Sequence, residues 1–380
     1  MIIGSPKEIK IGEARVGMTP LMVRELNNAG HEIVVENGLG ELSGHSDTEY
    51  EEAGATLAKK QRVFDEAEFI VKFKNPFEKE LKYFHEGQIL FTYLHLDENA
   101  PPSYTESLLN LGITGIAYEW VELDDGSHPL LDPMSHVTGI VVAQKAMDLI
   151  TYPKGKALMV GHIEPGIPSA RVTIVGGGHI GLMTAKTFLG INADVTVVDK
   201  HPETLVERLS RFVPGDIAKR VKGVLSTNEN LVSIIPSTDI LINAAVRRPD
   251  FKQPHLITKE MILTMEPGSV VIDATACDKD MLETSLSTTH LDPIYDVEGI
   301  IHYCVDNVPS GVARTSTALL TKYTFPYIRE IANKGIKKAL EDNIPLQRGV
   351  QFIRDKFVHE YVAKKKGFEL SDFDEALALL

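Results

Sequence analysis

Val172-Thr-Ile-Val-Gly176-Gly-Gly178-His179-Ile180-Gly181, followed by Val195-Thr-Val-Val-Asp199, is the stretch that decides the fold. The first run is apolar and β-branched and ends in G-x-G-x-x-G. The second is another such run, closed by an acid 23 positions beyond Gly176. Strand, glycine turn, helix, strand and terminal carboxylate compose a dinucleotide-binding βαβ unit. Gly176 permits the tight turn, Gly178 lets backbone approach a pyrophosphate, and Gly181 lets the helix over roughly 180–189 pack on the strand. The free N–H groups of that helix, at His179 and Ile180, together with its positive dipole end, suit phosphate. Asp199 can accept both ribose hydroxyls of NAD and would repel a 2′-phosphate. Lys200 and His201 beside it leave NADP open. Taken alone, a G-x-G-x-x-G also fits a glycine-rich turn that binds no nucleotide.

Working outward, further strands are expected near 239–245 and 269–275. Asp239-Ile-Leu-Ile-Asn and Ser269-Val-Val-Ile-Asp are continuous apolar runs of the kind buried on both faces of a parallel sheet. Before the fingerprint, residues 1–130 alternate strand and helix without a glycine motif. Strand-like runs lie at 31–36, 69–73, 89–96 and 113–118. Thr19-Pro20 reads as a capped helix start and Gly30 as its stop. Ser46-Asp-Thr-Glu49 is a capping box. A buried connecting helix is expected over 135–150, and the chain beyond Tyr303 turns mainly helical. This pattern implies an α/β protein of two Rossmann-like domains. The NAD-binding domain, 131–306, is inserted into a discontinuous catalytic domain made of 1–130 and 307–380, with the active site expected in the cleft between them.

The chain has 380 residues, 43% of them hydrophobic and 24% charged, with a net charge of −14. That balance argues against nucleic acid or an anionic membrane as the main partner. No apolar run approaches the roughly 18 residues of a membrane span, and the N-terminus carries no secretory pattern. The cysteines, Cys277 and Cys304, are too few for a disulfide framework and lack metal-ligand spacing. A cytoplasmic protein without a metal is expected.

Four segments of the first unit carry chemistry-bearing side chains. They are the loop Lys7–Pro20 with Arg15, the strand end Val71-Lys72-Phe-Lys74, the apolar run ending at His95, and Leu131-Asp-Pro-Met-Ser135. A guanidinium at Arg15 suits a carboxylate substrate. A cation at Lys74 suits the heteroatom of a carbonyl or imine that accepts hydride. An imidazole at His95 suits proton exchange near neutrality. Each has a plainer reading. Arg15 also fits a surface salt bridge, Lys72 and Lys74 share a strand face and fit solvated charges, and His95 fits a structural histidine. The lysines at 364–366 read as a solvated face.

The chain resembles the alanine dehydrogenases, in the family that also contains the nicotinamide nucleotide transhydrogenase alpha subunit. The resemblance rests on Gly4-Ser-Pro-Lys-Glu, Arg15-Val-Gly-Met-Thr-Pro, Lys72-Phe-Lys74, Leu90-Phe-Thr-Tyr-Leu-His95-Leu, Ile116-Ala-Tyr-Glu119, Pro133-Met-Ser135, the glycine fingerprint, His302-Tyr-Cys-Val-Asp-Asn307 and Arg314-Thr-Ser-Thr317. It implies NAD-dependent oxidative deamination of a small L-amino acid, L-alanine to pyruvate and ammonia above all. Arg15 and Lys74 would hold the substrate carboxylate and keto group, with His95 as acid/base. Ser135, the glycines, Asp199 and Asn307 would contact NAD, Asn307 would also border the substrate, and Thr227 would reach the adenosine side. A homo-oligomer, a hexamer, is implied as well.

The sequence departs from the family after the last apolar strand. There the family's catalytic Asp falls on Cys277, with Asp278 adjacent; Asp278 takes that role if the segment shifts locally. Trp120, Asn75 and Arg247-Arg248 also differ around the expected pocket. Two other readings follow. One is an imine-reducing enzyme of opine or saccharopine dehydrogenase type on a larger substrate, and the other a catalytically silent NAD(H)-binding protein.

Overall fold

The computed structural model describes residues 1–98, 100–246, 254–276 and 281–380. These divide into two compact units, Met1–Met134 with Ser310–Leu380, and Ser135–Pro309. The first boundary falls inside the helix Asp132–Leu149, which begins three residues before the expected start.

In the first unit the strands are β1 (Ile2–Ser5), β2 (Glu32–Glu36), β3 (Thr56–Ala58), β4 (Phe69–Lys74), β5 (Ile89–Tyr93) and β6 (Thr114–Ala117). The second contributes β7 (Arg171–Val175), β8 (Asp194–Asp199), β9 (Lys222–Leu225), β10 (Ile240–Asn243), β11 (Val270–Asp273), β12 (Ile294–Val297) and β13 (Ile300–Tyr303). Then β14 (Val350–Ile353) and β15 (Lys356–Phe357) return to the first.

Among the described residues, the first unit's sheet runs β15-β14-β6-β5-β4-β1-β2-β3. It is parallel from β6 to β3, and β14 and β15 add antiparallel at the other edge. The hairpin of β14 and β15 interrupts the helical C-terminal stretch that the sequence suggests. Its strands are short, and Phe352 and Phe357 are apolar anchors in a core with Phe64, Ile70, Leu90 and Leu108. The second sheet runs β12-β13-β11-β10-β7-β8-β9, parallel except for β12. Ile240, Leu241, Ile242, Val270, Val271 and Ile272 have no exposed surface, which explains the unbroken apolar runs of β10 and β11. Burial of each such side chain stabilises by about 1.5–3 kcal/mol.

Both sheets reverse direction beside their first strand, between β1 and β4 and between β7 and β10. In an open parallel sheet the crevice beyond the carboxyl ends at such a reversal is where ligands bind. No helix among the described residues is long and apolar enough to cross a membrane.

Of two helix starts read from the sequence, one differs in local detail and one agrees. Thr19 stands at the N-cap of helix Pro20–Asn28, but its side chain makes no capping hydrogen bond. Ser46 does form its capping box with Glu49.

Candidate active site

In the first unit the carboxyl ends of β1, β4, β5 and β6 gather charged side chains. β5 ends at Tyr93 rather than running on to Leu96. The reason is Glu119, just past β6, whose buried carboxylate accepts the Leu94 N–H at 3.1 Å and the His95 N–H at 2.5 Å. Backbone donors bound to that carboxylate do not continue the ladder, and His95 leaves the strand with φ +49°. Burial raises the Glu119 carboxyl above the ordinary range. A second carboxylate acts similarly on β4, where the register against β5 shifts between Val71 and Lys74. Glu8 accepts the N–H groups of Phe73 and Lys74 at 2.7 and 3.2 Å.

That shift separates the two lysines. Lys72 is fully buried between Glu8 and Glu80, 3.2 and 3.4 Å away. Burial opposes its charge, but the two carboxylates outweigh it and raise the ammonium above its usual value. Lys72 is therefore an internal counter-ion. Lys74 is partly buried, and its Nζ lies 2.9 Å from His95 Nε2. Burial, with Arg15 and Lys10 as neighbouring cations, lowers the Lys74 value. The plain reading of both lysines as solvated charges does not hold. The Tyr93 ring stacks on His95 at 5.5 Å between centroids, beneath Lys74 Nζ at 5.8 Å.

Arg15 is not a surface residue either, being only 4% exposed. Its Nε and Nη2 bind Glu13 at 2.7 and 2.5 Å, and its guanidinium lies 4.1 Å over the Phe73 ring. The Nη1 edge, 3.8 Å from Met134 Sδ, keeps strong donor capacity. Burial works against the Glu13 carboxylate, but the Arg15 guanidinium overrides it and holds the carboxyl down at about 2. On the other side of His95, Nδ1 lies 3.0 Å from Glu98 Oε1.

In the second unit a cavity of about 610 Å³ opens at the ends of β7, β8 and β10, lined by Gly176–Gly178, Asp199, Arg208, Ser226 and Ala244–Val246 among others. Gly176 has φ +98°, and a Cβ there would stand 2.8 Å from the Ala245 nitrogen. A Cβ on Gly181 would collide with the Gly176 carbonyl oxygen, whereas one on Gly178 would meet open space. Backbone that must turn tightly, pack closely and leave room above itself fits a dinucleotide pyrophosphate. Asp199 accepts the N–H groups of Gly177 and His201 and binds Arg208 Nη2 at 2.8 Å. Burial alone would raise its carboxyl; these donors outweigh that and lower it.

The remaining expected cofactor residues are dispersed within this unit. His179 opens the helix His179–Gly190, followed by Ile180, and its Nδ1 lies 3.1 Å from His136 Nε2, one residue after Ser135. Asn307 is buried, its carbonyl 3.1 Å from His290 Nε2. Thr227 spends its hydroxyl as the N-cap of helix Asn228–Ile234, and its neighbour Ser226 lines the cavity instead. Asp278, Cys277, Arg247 and Arg248 lie outside the described residues. Trp120 packs its ring on His359 and Tyr361, 4.4 and 5.2 Å between centroids, and lines a separate cavity of about 360 Å³. Asn75 bonds the Tyr104 side chain.

Four contributors escaped the sequence reading: Glu13, Glu98, Glu119 and Arg208. Glu13 and Glu98 stand two and three positions from Arg15 and His95, a short-range signal; Glu119 closes one of the segments that carry the family resemblance, with no role read for it, and Arg208 carries no signal.

The family described as "Alanine dehydrogenase/PNT, N-terminal domain" matches residues 4–138, and its C-terminal counterpart matches 141–360. An alanine dehydrogenase of Methanococcus maripaludis is 41% identical over 99% of this chain and 100% of its own length. That of Bacillus subtilis is 40% identical over 99% and 98%. A solved L-alanine dehydrogenase superposes with a TM-score of 0.86 at 35% identity, covering 96% of this chain and 99% of its own. The transhydrogenase from Sinorhizobium meliloti, 21% identical with a TM-score of 0.76, shares the fold.

Proposed function

The chain belongs to the alanine dehydrogenase/PNT family, and on that premise we propose that it is an NAD-dependent alanine dehydrogenase, interconverting L-alanine with pyruvate and ammonia. The observation that carries this reading in the geometry is the Lys74–His95 pair, 2.9 Å apart, beside the buried guanidinium of Arg15. Full-length likeness to alanine dehydrogenases supports ammonia and a small keto acid over a bulkier amine or a silent binding role.

The glycine cradle and Asp199 would hold NAD, which would supply the hydride acceptor. Arg15 takes the substrate carboxylate on its Nη1 edge, since Glu13 already occupies Nε and Nη2. Glu13 fixes the plane of the guanidinium and neutralises it in advance, so the substrate meets an oriented donor rather than a mobile charge. Lys74 donates to the oxygen of the keto acid, where negative charge develops as water adds to the imine or leaves it. His95 accepts the proton of that water at Nε2 and returns it to the departing amine. Tyr93 stacks under the imidazole and holds its plane. Asp278, next to Cys277 in sequence, is assigned the role of the family's catalytic carboxylate by family likeness. Ser135, His179, Ile180, Thr227 and Asn307 are assigned to cofactor contacts by the same family likeness. A hexamer in the cytoplasm completes the reading.

The test is NADH oxidation by the purified protein with pyruvate plus ammonia, beside a panel of 2-keto acids and primary amines. Turnover best with pyruvate and ammonia is expected. Turnover only with a larger keto acid or an amine other than ammonia would overturn the substrate assignment.

A further inference from the structure

We propose that Glu98 is a positioning residue for the reaction: its carboxylate locks the His95 ring in the tautomer that presents a bare Nε2 to Lys74 and substrate. The proposal rests on the reading of His95 as the acid/base.

A neutral imidazole has one donor and one acceptor nitrogen, and the neighbours decide which is which. Glu98 Oε1 lies 3.0 Å from Nδ1, and an ionised carboxylate only accepts. Nδ1 must therefore carry the proton. Lys74 Nζ lies 2.9 Å from Nε2, and an ammonium only donates. Nε2 must therefore be bare. The two partners agree on one tautomer, and it is the one that can take a proton at Nε2. When the water that attacks the imine forms its C–O bond, its proton moves to Nε2. Nδ1–H stays on the ring, and Glu98 remains a carboxylate facing the resulting imidazolium. Delivery of the same proton to the amine, and passage of the remaining hydroxyl proton through Nε2 to the ammonia as the C–N bond breaks and the carbonyl forms, restores the starting state, so protons balance without another reactant.

The surroundings fix Glu98 in this place. The Glu98 N–H donates to the His95 carbonyl at 3.2 Å, closing a four-residue turn that sets the two side chains together. From the helix Glu360–Lys366, Lys366 Nζ donates to the carbonyls of Glu98 and Ala100 at 2.6 and 2.8 Å. Lys365 stands 3.9 Å from Asp97 in the same loop. The lysines that read as a solvated face are thus partly the clamp on this turn. The charged groups facing His95 come from every element around it: Lys74 from β4, Glu98 from the turn, and Glu119 from beyond β6. Of the two carboxylates, Glu119 engages the backbone N–H, which leaves Glu98 as the one that reads the ring.

The experiment compares Glu98→Ala, Glu98→Gln and His95→Asn with the unaltered protein in pyruvate–ammonia–NADH kinetics, NADH binding and thermal unfolding. Glu98→Ala is expected to lower kcat about 100-fold, the low end of acid/base contributions, with the pyruvate KM and NADH affinity within about twofold. Glu98→Gln keeps an acceptor for Nδ1–H without the charge, and should recover part of the loss. Glu98→Ala with kcat within twofold of the unaltered protein overturns the proposal. So does a joint fall of kcat, NADH affinity and melting temperature in which Gln is no better than Ala, since that is loop support alone. Undiminished turnover in His95→Asn would instead sink the acid/base reading itself, a separate failure.

Discussion

Lys74 Nζ and His95 Nε2 stand 2.9 Å apart although 21 positions separate them, because β4 and β5 pair in parallel and both chains leave the sheet at the same end. An ammonium whose charge is already disfavoured by burial and by Arg15 is poised to donate to a developing oxyanion. Lys74→Met is expected to reduce kcat/KM by at least about 100-fold, as loss of one preorganised donor does. NADH binding should be retained, since the cradle lies in the other unit. Steady-state kinetics with fluorescence titration of NADH checks both parts.

Arg15 and Glu13 form a buried pair, and breaking it from one side leaves an uncompensated charge. Arg15→Met should cost about 3–5 kcal/mol of stability and abolish saturation by pyruvate. The double variant Arg15→Met/Glu13→Gln should recover much of the stability and none of the activity. The pH sign follows from the carboxyl's depressed value: the pair's contribution is full above the ordinary 4.5 and fades as pH falls toward about 2. Denaturant unfolding of the three proteins at neutral pH and at pH 3 decides it.

Asp199 shares its carboxylate with Arg208, 2.8 Å away at the rim of the cavity. With the acid removed, that guanidinium, Lys200 and His201 become a cationic patch suited to a 2′-phosphate. Asp199→Gly should raise the NADPH-to-NADH ratio of kcat/KM by at least about tenfold, the scale of one charge-assisted contact. Adding Arg208→Ala should reverse the gain. An unchanged ratio in Asp199→Gly would show that the carboxylate does not select the cofactor.

His359 gives the C-terminal segment a pH dependence. Its Nδ1 accepts the Val362 N–H at 3.4 Å as an N-cap, and burial beside Trp120 lowers its value to about 4. A depressed histidine favours the unfolded chain when it charges. Its contribution is full above the ordinary 6.5 and is lost as pH falls toward 4, roughly 3 kcal/mol over that window. His359→Asn keeps a capping acceptor and should flatten the fall in melting temperature between pH 7 and pH 4.5. A fall as steep as in the unaltered protein would count against this assignment.

Much of the architecture is legible in local pattern. The glycine turn and Asp199 mark β7, its helix and β8. The unbroken apolar runs mark β10 and β11, and the capping box marks the helix at Ser46. Arg15, Lys74 and His95 are legible as side-chain types suited to a carboxylate, a carbonyl and a proton. The hairpin β14–β15 is not, because strands of four and two residues carry too few positions to show a period.

What the sequence by itself determined is whatever depends on neighbours within a few residues: period, turn, cap and the spacing of the fingerprint. Whether Lys72 or Lys74 is the buried counter-ion depends on a register shift against β5 and on Glu8, more than sixty positions away. Where β5 ends depends on Glu119 capturing two backbone N–H groups. The tautomer of His95 depends on a turn clamped by Lys366, 268 positions beyond Glu98. These were decided by the tertiary structure. A charge or a hydrogen bond acts over a few ångströms of space, and only folding sets which residues share them.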